Sequence, residues 1–167
     1  VYSKEMEHDA CGVGLIASTE GKKSREVVEY GIEALKAVWH RGAVDADGKT
    51  GDGAGIHLEI PKDFFVEKIE VTGHTHDGSD ICVGMIFLPR NDYAAQESCK
   101  TIVESELTKN DFSIYGWRQV PVNPKVLGEK ALQTMPEIIQ VLFKANNKNL
   151  LDKDLERKIY ETRKKIE

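Results

Sequence analysis

The run Ile81-Cys82-Val83-Gly84-Met85-Ile86-Phe87-Leu88, closed by Pro89, is the longest continuous apolar stretch that reads as a strand. Uninterrupted apolarity over this length predicts a central strand covered on both faces. Downstream, Asn91 or Asp92 offers an N-cap for a helix that carries Ala95, Cys99, Ile102 or Val103, and Leu107 on its inner side. A second strand is predicted over Ser113–Val120, ended by Pro121, then a short helical piece near Val126–Leu132, and a third strand over Ile138–Phe143. Upstream, Val13-Gly14-Leu15-Ile16-Ala17 reads as a short buried strand ended by the turn-like Thr19-Glu20-Gly21. Ser24 then caps a helix with Val28, Ile32, Leu35 and Trp39 at helical spacing and Gly42 as its terminator. Ile56, Leu58 and Ile60 alternate with His57 and Glu59 as in a half-buried strand that Pro61 ends. Strands and helices mix without a regular βαβ period, which favours a layered α+β arrangement over a doubly wound sheet.

Bulk composition narrows the function classes. The 167 residues are 40% hydrophobic and 31% charged, as in an ordinary globular domain, which excludes disorder and collagen. A net charge of -5 gives no basic field for a phosphate backbone, so nucleic acid is excluded as a partner. No apolar run spans a bilayer, and residues 1–10 lack the hydrophobic core of a signal peptide, so a cytoplasmic location is expected. Cys11, Cys82 and Cys99 are too widely spaced for a disulfide framework or a zinc cluster. The last segment places Leu151, Leu155, Ile159 and Ile166 on one helical face, and no Gly or Asn closes that helix. The expectation is a parent chain that continues beyond Glu167.

Cys11 sits in Asp9-Ala10-Cys11-Gly12-Val13-Gly14, where Gly12 and Gly14 remove side chains beside the thiol and let a substrate or another backbone approach closely. Spacing alone equally allows a small buried hydrophobe in a strand that happens to contain glycines. Two further motifs supply context: His40-Arg41-Gly42-Ala43, and Thr50-Gly51-Asp52-Gly53-Ala54-Gly55 before the strand at Ile56.

Together these motifs resemble the class II glutamine amidotransferases, which begin at a Cys-Gly and carry an Arg-Gly after their first helix and an Asp-x-Ala-Gly before a strand. The fuller string from Trp39 to Ile56, and Ile114-Tyr115-Gly116-Trp117-Arg118-Gln119-Val120-Pro121-Val122, are similar to the form found in glutamate synthase large subunits. The resemblance implies the four-layer αββα sandwich of N-terminal-nucleophile hydrolases, incomplete here at its C-terminal side, with residues 1–10 as a propeptide and 11–167 as the front of the domain. It implies Cys11 as the nucleophile toward the glutamine side-chain amide, its freed α-amine as general base, and Gly12, Arg41, Gly42, Asp52 and Gly53 as pocket or support. Arg41 on helix carbonyls and Gly42 as a C-cap remain the structural alternatives. The family's oxyanion and glutamine-binding residues would lie beyond Glu167, so little activity is expected of this segment alone. In the intact enzyme, ammonia would reach a synthase domain acting on 2-oxoglutarate, with FMN, an iron–sulfur cluster and an electron-donating small subunit; none of that machinery is expected within these residues. The rivals are another class II enzyme, of the amidophosphoribosyltransferase or glucosamine-phosphate synthase type, and a non-catalytic module binding glutamine or a partner. The insert Val44–Gly51 argues against the two other enzymes.

The remaining motifs read as structural. Asp45-Ala46-Asp47-Gly48-Lys49-Thr50 has Lys49 at a ligand position and Ile56 where a calcium loop needs Glu, so no metal is expected there. Gly51–Gly55 lacks the Lys-Ser/Thr of a phosphate loop. His74-Thr75-His76-Asp77 reads as a solvated turn, and Cys82 and Cys99 as packing residues.

Overall fold

The computed structural model describes residues 12–39 and 42–167. Element order is α1 (Arg25–Ala37), α2 (Lys62–Val71), β1 (Cys82–Leu88), α3 (Tyr93–Lys109), β2 (Phe112–Gln119), a 3-10 turn (Pro124–Val126), α4 (Glu129–Thr134), β3 (Glu137–Ala145) and α5 (Asp152–Ile166). The chain divides into two units, one of residues 1–59 with 123–134, the other of 60–122 with 135–167.

The second unit is organised by a three-stranded antiparallel sheet of order β1-β3-β2. The apolar run at 81–88 does form a strand, but β1 lies at an edge, and Met85 and Phe87 are exposed. The central strand is β3, whose Gln140-Val141-Leu142-Phe143 are all buried. Apolar runs show which segments want burial; which one sits in the middle is set by pairing, and β3 pairs on both sides.

Alternation along β3 sends its side chains into two clusters. Val141 and Phe143 join Cys82, Val103, Leu107 and Phe112 under α3 and α5, where Leu155, Ile159 and Ile166 also pack. Phe112 and Phe143 meet edge to face, ring centres 5.2 Å apart. On the other face Leu142 packs with Phe65, Ile69, Ile81 and Tyr115, covered by α2. The unit is therefore a helix–sheet–helix stack, and the layered α+β reading holds at this level.

Two helices follow their sequence signals closely. Asp92 caps α3 by accepting from the Ala95 N–H at 2.9 Å. Of the two inner candidates on α3, Val103 is buried and Ile102 is exposed. In α5, Leu151 stands at the N-cap, largely exposed, while Leu155, Ile159 and Ile166 face the core and Thr162 is buried with its hydroxyl donating to the Lys158 carbonyl. Helix α2 has no counterpart in the sequence reading; its signal was Phe65 and Ile69 one turn apart, just after Pro61. A bulge at Tyr115 joins α2 to the sheet: register shifts between Ile114 and Gly116, and the Tyr115 carbonyl lies 2.8 Å from the Thr72 hydroxyl just past α2.

In the first unit, Ser24 caps α1 as expected, accepting from the Val27 N–H. The helix ends at Ala37, so Gly42 is not its C-cap; the Gly42 N–H instead closes a turn onto the Trp39 carbonyl at 3.1 Å. Neither Val13–Ala17 nor Ile56–Ile60 forms a strand. Val13, Leu15, Ile56 and Leu58 are exposed, and an apolar segment becomes a strand only when a neighbour completes its ladder, which no described residue does here. Segment 56–59 instead runs beside α1, with Ile56 against Gly31 and Glu59 paired to Lys23.

Gly116 tests the bulge. Its φ is +145°, and a Cβ there would stand 2.9 Å from Thr72 Cγ2, so Gly116→Ala is expected to cost about 1–3 kcal/mol, read as a lowered midpoint in chemical denaturation.

Candidate active site

Among the sequence-predicted site residues, Cys11 and Arg41 lie outside the described residues. Gly12 is exposed, outside any helix or strand. Gly42, Asp52 and Gly53 belong to the loop that follows α1, and the structure joins its two ends. The Asp52 carboxylate accepts the backbone N–H of Ala43 at 2.8 Å, fixing the residue immediately after Gly42. Val44 and Gly51 form an antiparallel bridge, and the Asp45 N–H donates to the Thr50 carbonyl at 2.7 Å. Gly53 has φ +85°, a conformation that side chains other than glycine rarely adopt, so it turns the chain away just after Asp52. Gly42, Asp52 and Gly53 are thus gathered into one hairpin-like loop, while Gly12 has no hydrogen bond to it among the described residues.

The tip of this loop is held by Asp47. Its Oδ1 accepts the N–H groups of Lys49 (2.9 Å) and Thr50 (2.7 Å), and its Oδ2 accepts the Thr50 hydroxyl (2.6 Å). Oδ2 also accepts the N–H of Glu129 at 3.1 Å. The Thr50 hydroxyl first, then the Thr50 and Lys49 amides, lower the Asp47 pKa to about 2. With both oxygens committed to protein donors, this carboxylate has the chemistry of a structural turn. The local part was legible as an Asp whose side chain bonds the backbone two and three residues on; the contact to Glu129 was not.

The other cysteines and histidines are elsewhere. Cys82 is buried under α3 and α5, and burial first, then the nearby Asp80 and Glu156 charges, raise its pKa to about 12. His76 shares a hydrogen bond with the Ser79 carbonyl at 2.8 Å, and His74 with the Thr72 hydroxyl at 3.1 Å. Among the described residues no cluster of His, Cys, Asp and Glu could hold a metal. A cleft of about 290 Å³ in the sheet unit is lined by Asp77, Ser79, Lys148 and Leu150. It contains none of the motif residues, and Asp77 is already paired with Lys144 and Lys148, which hold its carboxyl well below the usual range.

A family model described as glutamine amidotransferases class-II matches residues 11–167, beginning at Cys11. The chain belongs to this family. It is 55% identical to the glutamate synthase [NADPH] large chain of Azospirillum brasilense over 166 residues, which is 99% of this chain and 11% of that protein. It is 42% identical to ferredoxin-dependent glutamate synthase 1 of Arabidopsis thaliana over 162 residues, 96% of this chain and 10% of that protein. The corresponding enzyme of Pyropia yezoensis is 41% identical over 169 residues, covering all of this chain and 11% of the relative. The chain thus spans about a tenth of the length of the curated relatives it matches. No described helix of this amidotransferase chain is long and apolar enough to cross a membrane.

Because only the thiolate is nucleophilic, the burial of Cys82 separates it from the family's cysteine chemistry. Alkylation of Cys82 by iodoacetamide at pH 8 is expected to be on the order of 10²–10³-fold slower in the folded than in the unfolded chain, measured by peptide mass spectrometry over time.

Proposed function

We propose that this chain is the front of the glutamine-hydrolysing domain of a glutamate synthase large subunit, with Cys11 as its nucleophile. The observation that carries this reading is the family match that begins at Cys11, together with glutamate synthases aligned over 96–100% of the chain. Residues 1–10 are then a propeptide, and 11–167 the first part of the domain. Once the Ala10–Cys11 bond is cut, the free α-amine, with an ordinary pKa near 7.7–8.0, takes the thiol proton. The thiolate attacks the side-chain amide carbon of glutamine, and the protonated amine returns its proton to the departing nitrogen. Ammonia leaves and a γ-glutamyl thioester remains. Water attacks the thioester, releasing glutamate and restoring the thiol.

In this reading Gly12 keeps the space beside the thiol open, Arg41 and Gly42 shape the pocket, and Asp52 and Gly53 support it. The Asp52–Ala43 hydrogen bond favours that support role. The four-layer αββα sandwich is the proposed fold of the complete domain. The family match supports that fold, and the second unit contributes an antiparallel sheet with α3 and α5 packed on one face.

Ammonia would pass to a synthase domain acting on 2-oxoglutarate, outside these residues, where FMN and an iron–sulfur cluster would be held. The name "large chain" of the 55% identical relative supports a smaller partner chain, for which we propose the electron-donating role. The free thiols of Cys82 and Cys99 suit a reducing, cytoplasmic setting.

The test uses the full-length protein matured in cells. Its first residue is expected to be Cys11 by intact mass, and a diazoketone analogue of glutamine is expected to modify Cys11 alone. Cys11→Ala should lower glutaminase turnover by roughly 10⁴-fold or more. Active enzyme that still carries residues before Cys11, or modification at another residue, would overturn the mechanism.

A further inference from the structure

The loop that carries Gly42 and Asp52 is not held by packing. None of residues 42–55 is buried, and the described part of that unit has a single buried residue, Gly128. What holds the loop is a clasp between its tip and residues some eighty positions later. Asp47 Oδ2 accepts the N–H of Glu129, at the start of α4, and Lys130 pairs with Asp45. Gly128 makes the approach possible: a Cβ there would collide with Thr50 Oγ1 and Asp47 Oδ2 and stand 2.6 Å from the Thr50 nitrogen.

From this clasp a succession of contacts runs back to Ala43, the residue after Gly42. It passes from Asp47 to Thr50, from the Thr50 carbonyl to the Asp45 amide, across the Val44–Gly51 bridge, and ends at Asp52 and the Ala43 amide. A turn needing only local order would be complete with the Lys49 and Thr50 donors. The additional acceptance from Glu129, and the fit that Gly128 alone permits, tie the tip to a separate segment.

We propose that Asp47, clasped to Gly128 and Glu129, is a positioning residue for glutamine binding, holding the Asp52–Ala43 contact and with it the backbone that follows Gly42. The proposal rests on the reading of Cys11 as the glutaminase nucleophile.

The test compares full-length wild type with Asp47→Ala, Asp47→Asn and Gly128→Ala. The alanine variants attack the clasp from its two sides. The Asn side chain has one carbonyl oxygen and so cannot serve both the local turn and Glu129. All three are expected to raise KM for glutamine about tenfold with kcat within about threefold of wild type. Modification of Cys11 by the diazoketone analogue should slow by the same factor. Alkylation of Cys11 by iodoacetamide, which needs no glutamine pocket, should keep its wild-type rate. Hydrogen exchange should quicken at the amides of 43–51 and not in the β-sheet. Unchanged KM, or unchanged exchange in the loop, overturns the proposal. Parallel loss of both labelling reactions with faster exchange throughout the chain also overturns it, because that marks a general structural role. A wild type that hydrolyses no glutamine and is not labelled at Cys11 would instead remove the underlying reading. The exchange data then still report whether the clasp exists.

Discussion

Everything in the sheet unit depends on β3 being paired along both edges and buried on both faces. Its two ladders satisfy the backbone hydrogen bonds of five consecutive buried residues, Ile139 to Phe143. Without them, burying those polar groups would cost more than the apolar side chains return. Gln140 is the polar exception, and its side-chain oxygen accepts from Arg118 across the sheet at 2.7 Å. Because alternate residues of this one strand reach opposite faces, α3 and α5 have a core to cover on one side and α2 on the other. The Tyr115 bulge then brings α2 against β2 through Thr72.

The motif-bearing unit is built on a different principle. Its described residues hold position by side-chain-to-backbone hydrogen bonds: Ser24 at the start of α1, Asp52 on Ala43, Asp47 on Lys49, Thr50 and Glu129. Such bonds in exposed loops are individually modest, but they are directional and set the backbone geometry of the loop.

The match to class-II glutamine amidotransferases spans residues of both units. The Gly42–Gly55 stretch of the family-like motifs lies in a loop of the first unit, the stretch from Ile114 lies largely in β2 of the second, and Cys82 is a buried packing residue of that second unit.

Sequence pattern alone identified the helix caps at Ser24 and Asp92, the strands over 82–88, 112–119 and 137–145 to within a residue or two, the inner face of α5 and the family motifs, because each is written in local spacing or composition. It misplaced the centre of the sheet, since apolarity at 81–88 does not say how many neighbours a strand will have. It expected strands at 13–17 and 56–60 whose ladders the described residues do not supply, and it took Gly42 for a helix cap although α1 stops at Ala37. In Asp45–Thr50 it saw a failed metal loop and part of a family-like insert, not a long-range contact. That Asp47 reaches Glu129, and that Gly128 must be glycine to let it, depends on two segments meeting in space. Local spacing carries short-range hydrogen bonding and helical or strand periodicity, while pairing partners, strand order and long-range clasps exist only once the chain has folded back on itself.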